Sequence, residues 1–122
     1  MRTTFVSVLL LVAVAVATAA PEDASAKRFR GHRAFDNPSH KTAVSSARAR
    51  KLSNRVLRHR FSIRRRSLIF ACNAHSPTTG GCDFAFTDAK TDAYTCGNTT
   101  VRAGRRQIVV RYTALNKGCT DF

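Results

Sequence analysis

Cys82-Asp83-Phe84-Ala85-Phe86-Thr87 and Gln107-Ile108-Val109-Val110-Arg111-Tyr112-Thr113 are the stretches that decide the fold class. In the first, Cys82, Phe84 and Phe86 alternate with Asp83, Ala85 and Thr87. In the second, Ile108, Val110 and Tyr112 face one way, and Val109 and Arg111 the other. A period of two marks a half-buried strand. Ser67 to Cys72 is a short apolar run. Tyr94-Thr95-Cys96 and Thr99 to Arg102 supply further short strands. Asn73 to Gly81, with Pro77, Gly80 and Gly81, reads as a loop. Gly97-Asn98 and Asn116 to Gly118 read as turns. The expectation for residues 67–122 is a small all-β domain of four or five short antiparallel strands, with no helix required.

The same stretch holds all four cysteines, Cys72, Cys82, Cys96 and Cys119, spaced C-x9-C-x13-C-x22-C. It has no C-x2-C pair and one histidine, His75. A structural zinc site wants tight pairs of ligands, so neither a metal nor a cofactor is expected. Two disulfides are, with three connectivities open. The domain spans 56 residues. A core of that size rarely supplies more than about 3–5 kcal/mol, and one native disulfide is worth about 2–5 kcal/mol. Core and staples are therefore comparable in size, and the reduced domain is expected to be unfolded.

Upstream, Met1-Arg2, the apolar run Phe5 to Val16 and the small residues Ala17 to Ala20 have the three-part layout of a secretory signal peptide, cut after Ala19. The run is shorter than the roughly 20 apolar residues a membrane span needs. Export favours bridged cysteines. The expected localisation is secreted and extracellular, with the signal peptide at 1–19.

Residues 20–66 read as a basic leader, disordered or partly helical. The formal net charge of the chain is +14. It divides as +1 over residues 1–20, +11 over 21–66 and +2 over 67–122. Low apolar content with high charge favours disorder. Asp36-Asn37-Pro38-Ser39 offers turn and N-cap residues. After it, Val44, Ala47, Leu52, Val56 and Ile63 approximate one helical face, with Leu57 and Phe61 beside it. Such a basic amphipathic helix suits an anionic membrane or a partner.

Lys27-Arg28 and Arg64-Arg65-Arg66 resemble the paired basic sites read by kexin- and furin-type proteases. The second sits where composition changes, which suggests release of residues 67–122. Arg55-Val56-Leu57-Arg58 matches the pattern Arg-x-Leu-Arg. Behind a signal peptide it resembles the host-targeting motif of oomycete RxLR effectors, which implies entry into host cells through Arg55, Leu57 and Arg58. The chain departs from that family in carrying no acidic Glu-Glu-Arg-type motif after it and in having a cysteine-rich C-terminal part.

Arg102, Arg105, Arg106 and Arg111 are the binding residues expected in the cysteine domain. If Arg102 and Arg111 share a hairpin turning at Gly104, their guanidiniums share a surface with Tyr112 or Tyr94. The other reading is an Arg-rich edge that blocks strand addition. Asn98-Thr99-Thr100 is an N-glycosylation sequon. No catalytic constellation stands out. Nucleophilic catalysis needs a base beside the nucleophile, and His75 beside Ser76 reads as an exposed loop residue.

The layout of Met1–Ala20, Arg64–Arg66 and the four cysteines resembles small secreted cysteine-rich proteins of filamentous microbes, including effectors and killer-type proteins. That resemblance implies a non-enzymatic, monomeric protein that binds a host or competitor protein, glycan or membrane surface. The alternative is a cationic, membrane-active peptide made of residues 27–66. Nucleic acid is not expected as a partner if cleavage at 64–66 removes the basic part.

Overall fold

Four strands form from the cysteine-rich stretch, and a fifth comes from the basic segment. The computed structural model describes residues 27–117 and Cys119. The stretch expected to be a signal peptide, residues 1–19, lies outside the described residues, as do residues 20–26, 118 and 120–122. The strands are β1 (Arg28–Asp36), β2 (Ile69–Ser76), β3 (Thr79–Thr87), β4 (Tyr94–Ala103) and β5 (Gln107–Leu115). They make one antiparallel sheet in the order β1-β5-β4-β3-β2. Helix α1 (Ser46–Arg60) packs on it. The disulfides are Cys72–Cys82, across β2 and β3, and Cys96–Cys119.

Alternation sorts each strand into a helix-side face and an open face. Toward α1 point Phe84 and Phe86 of β3, Val101 and Ala103 of β4, and Ile108, Val110 and Tyr112 of β5, all buried. On the helix, Ala49, Ser53, Val56 and Leu57 are buried. Their i, i+4, i+7, i+8 spacing is the stripe a helix lays on a core. Gly80 lets the helix come close, because a Cβ there would lie 2.9 Å from Val44 Cγ1 and 3.4 Å from Ala49 Cβ. At the centre, the Ser53 hydroxyl meets that of Thr99 at 2.6 Å, and Thr99 Oγ1 also accepts the Cys82 N–H at 3.2 Å. That satisfies the polar groups buried under the helix. Beyond the helix end, the Phe61 ring lies 5.6 Å from Phe29, 5.4 Å from Phe86 and 5.7 Å from Tyr112.

The composition change at Arg66 is therefore not a boundary of the fold, contrary to the division into a leader and a domain starting at residue 67. β1 pairs with β5 through all nine of its residues, from Arg28↔Leu115 to Asp36↔Gln107. The segment reads as too polar for structure because only one face of an edge strand must be apolar. Phe29 and Phe35 meet that need, and arginine fills in at the rims. The guanidinium carbons of Arg33 and Arg55 lie 5.3 and 4.9 Å from the Phe35 ring centroid, and Arg50 lies 5.4 Å from that of Phe70. Arg60 sits over both Phe29 and Phe61. These stacks cover ring faces that other proteins cover with aliphatic groups.

Four local expectations change as well. The N-cap of α1 is Ser45, whose hydroxyl accepts the Arg48 N–H at 3.1 Å. Asn37 instead ties the end of β1 to the β4–β5 turn: its N–H donates to Arg106 O at 2.8 Å, and its amide donates to Gly104 O at 2.8 Å and Lys41 O at 2.7 Å. Ala47, expected on the buried side of the helix, is exposed. Asn73 to Gly81 is not a loop, since β2 runs to Ser76 and β3 starts at Thr79. Gly97-Asn98 lies in mid-β4 rather than in a turn, because cross-strand pairing on both sides overrides local turn propensity.

Two outcomes follow. Leu57→Ala should destabilise by about 2–5 kcal/mol, read from the denaturation midpoint. A loss within about 0.5 kcal/mol, typical of surface changes, would mean that the helix is not part of the cooperative unit. In the β3–β4 connection, Asp88 Oδ1 accepts the N–H groups of Lys90 at 2.8 Å and Thr91 at 3.0 Å. The Thr91 N–H foremost, helped by that of Lys90 and by the Lys90 charge, outweighs burial and holds the carboxyl below its ordinary value of 3.8. A depressed folded value stabilises the protein above the unfolded value, about 3.9, and the contribution is lost as pH falls through the folded one. Asp88→Asn should remove this part of the acid-side slope of stability against pH. An unchanged slope would contradict the assignment.

Candidate binding face

Among the described residues, nothing covers most of the width of the sheet face away from α1. Its side chains come in cross-strand rows. One row runs His32, Arg111, Thr100, Gly81, Asn73 from β1 to β2. The next runs Arg30, Thr113, Asn98, Asp83, Ala71. Directly opposed side chains have Cβ atoms about 4.5–5.5 Å apart, and diagonal neighbours about 7–8 Å. At one end the Cys96–Cys119 disulfide holds the chain against this face, and Ala85, opposite Cys96, is buried.

Electrostatics is lopsided. All of the chain's 21 Lys and Arg residues except Arg2 fall within residues 27–117, with only four of its seven acidic residues, Asp36, Asp83, Asp88 and Asp92. Among the described residues the one ion pair joins Arg64 and Asp92. The arginines then divide by role. Arg33, Arg50, Arg55 and Arg60 stack on rings, and Arg48 donates to Lys41 O at 2.9 Å and Ala43 O at 2.6 Å. On the open face, Arg30, Arg102, Arg111 and His32 are exposed and have no ion-pair, ring or side-chain hydrogen-bond partner within the described residues. The same holds for Asn73, Asp83, Asn98 and Thr100.

Besides a depression of about 680 Å³ at the β4–β5 turn, among Thr79, Arg102, Arg106 and Val109, two depressions lie along these rows. One, of about 300 Å³, lies among Arg30, His32, Arg111 and Thr113. The other, of about 210 Å³, is lined by Asn73, His75, Asp83, Asn98 and Thr100. Gly81 forms its floor: a Cβ there would strike the Thr99 carbonyl and lie 3.1 Å from His75 Cε1. Among the described residues no group of three or more His, Cys, Asp or Glu side chains is placed to hold a metal ion.

The expected arginine hairpin exists. β4 and β5 pair up to Ala103↔Ile108, and Arg102 and Arg111 are diagonal neighbours on the open face. Arg105 and Arg106 lie at the exposed turn, where the carbonyl of Arg105 meets His40 Nδ1 at 2.8 Å. Tyr94 is exposed, 47 %, on the same face, whereas Tyr112 is buried under the helix. His75 is on β2 at the rim of the Gly81 depression, not in a loop. Asn98 is exposed at the middle of the face, so a glycan there would cover it. Arg30 and His32 escaped the sequence reading. Their signal was the alternation of Phe29, Gly31, Arg33 and Phe35 with Arg28, Arg30, His32 and Ala34.

The other expected sites sit differently. Leu57 is fully buried, Arg55 stacks on Phe35 and Arg58 donates to Asn54 Oδ1 at 2.9 Å. Arg55–Arg58 is thus a stretch of core helix, and its leucine is not available to a reader of linear motifs in the folded protein. Lys27 and Arg28 are tied to the sheet: the Lys27 N–H donates to Asn116 Oδ1 at 2.9 Å, and Arg28 opens β1. Arg64, Arg65 and Arg66 form the exposed turn between α1 and β2, with Arg66 at φ 64°. Comparison with family models, curated proteins and solved structures found no match.

Both disulfides lie after residue 66. A protein cut at Arg64–Arg66 should therefore hold its two pieces together by packing and β1–β5 pairing alone. With a specific protease site placed in this turn, the pieces should co-elute natively after cleavage and separate in denaturant without reductant. Native separation would show that residues 27–66 are dispensable to the sheet.

Proposed function

We propose that the chain is a small, secreted, disulfide-stapled binding protein that acts on a polyanionic target outside the cell that makes it. The observation that carries this reading is the set of open-face arginines, Arg30, Arg102 and Arg111, which have no acidic partner among the described residues. Arginine left unpaired on a concave or flat face raises the local concentration of anions and steers them to it. Secretion is supported by the layout of residues 1–20 and by the two bridges, which oxidising compartments favour. In this reading the likeness to effector-type secreted proteins extends to mode of action, which is binding rather than chemistry.

The membrane-active alternative is disfavoured by the packing. The apolar side of α1, with Val56 and Leu57, faces the sheet and is spent in the core. What remains outside is charge. The ground for setting nucleic acid aside also falls away, since the basic segment belongs to the fold.

Labelled inorganic polyphosphate and a sulfated glycan should both bind the oxidised protein. Their affinity should drop by about tenfold or more between roughly 0.05 and 0.2 M salt. No binding at the lower salt would overturn the reading.

A further inference from the structure

We propose that the open face binds single-stranded nucleic acid, with phosphates on Arg30, His32 and Arg111 and one base held over Gly81 by Asp83 and Asn98. The inference rests on the polyanion reading and names its ligand.

A ligand that is only anionic explains the cations but not the rest of the face. Asp83 stands exposed in the second row, directly opposite Asn98. Its carboxylate would repel a bare chain of phosphates or sulfates. It suits a ligand that pairs phosphate with hydrogen-bond donors. The exocyclic amines of nucleobases donate to carboxylates, and amide side chains such as Asn98 give and take on base edges. All these groups have hydrogen-bonding capacity unused among the described residues.

Placement agrees. Arg111 is opposite Thr100, so Asn98 is its diagonal neighbour, about 7–8 Å away. Asp83 is one strand further on, about 4.8 Å. Phosphate cradle and base depression are thus one nucleotide apart, side by side on the same surface. The missing side chain at Gly81 gives the base somewhere to sit. A base edge can enter that depression only if it is unpaired, and open sheet faces are platforms on which unstacked bases are read. Farther along β4, Tyr94 exposes a ring on which a neighbouring base can stack.

The test uses the glycan-free, oxidised full-length mature protein and labelled homo-oligomers of A, C, U and T, with polyphosphate as the probe for charge alone. The A and C strands should bind more tightly than U or T, which lack an exocyclic amine, and a matched duplex more weakly. Arg30→Gln with Arg111→Gln should weaken single-strand binding about tenfold or more and lower the salt slope by about one to two units. The charge-matched pair Lys51→Gln with Arg58→Gln, on the exposed side of α1, should do much less. Asp83→Ala with Asn98→Ala should raise polyphosphate affinity, since a repelling carboxylate is gone, but level the difference between bases. Equal losses from the two arginine-containing pairs, or base discrimination that survives Asp83→Ala with Asn98→Ala, would overturn the proposal while leaving polyanion binding standing. Absence of polyphosphate binding would instead remove the reading beneath it. All the replaced side chains are exposed, and unchanged near-UV circular dichroism of the variants keeps the comparison on binding.

Discussion

The helix-side face of the sheet has to be covered, and α1 is what covers it. Phe84, Phe86, Val101 and Val110 are fully buried on that face. Without Val56 and Leu57 above them they would lie open to water, at a cost of about 25 cal/mol for each Å² of apolar surface. A sheet built only from residues 67–122 would have two wet faces, one of them apolar. The basic segment closes that gap twice, with a helix over the face and with β1 along the β5 edge.

That requirement explains the odd chemistry of the segment. A helix with so many arginines looks ready for a membrane or for solvent. Here the stripe of Ala49, Ser53, Val56 and Leu57 is narrow, and the surrounding arginines lie over Phe29, Phe35, Phe61 and Phe70. Each guanidinium keeps its edge in water while its plane covers a ring. Cationic charge at the rim is structural, and cationic charge on the far side of the sheet is not. The disulfides do a separate job. One ties β2 to β3 and the other holds Cys119 to β4, and neither fastens the helix. Packing and strand pairing alone keep the two parts of the chain together.

The sheet was legible in the sequence where alternation was clean. Cys82 to Thr87 and Gln107 to Thr113 became β3 and β5 almost as read, and five strands and two bridges match the expected small stapled β fold. The helix was visible in part, since Val56 and Leu57 of its expected apolar side are core. Its role was not, because composition cannot tell a solvated basic peptide from one whose few apolar residues all point one way. β1 was hidden for the same reason: arginine at alternate positions of an edge strand looks like disorder. Gly97-Asn98 carried a strong turn signal that its neighbours overruled. The arginine hairpin was legible because Gly104 falls midway between two alternating stretches. Asp83 and Asn98 could not be paired from sequence, since their meeting depends on the β3–β4 register.

Native-state amide hydrogen exchange on the oxidised full-length protein tests the central claim most directly, because it reads the helix and β1 without altering a residue. If the basic segment is part of the cooperative fold, the hydrogen-bonded amides of β1 and the interior amides of α1 will be protected, those of α1 at the level of β3 and β4. Exchange of residues 28–60 at free-peptide rates beside a protected sheet would make the segment a leader after all and contradict the account.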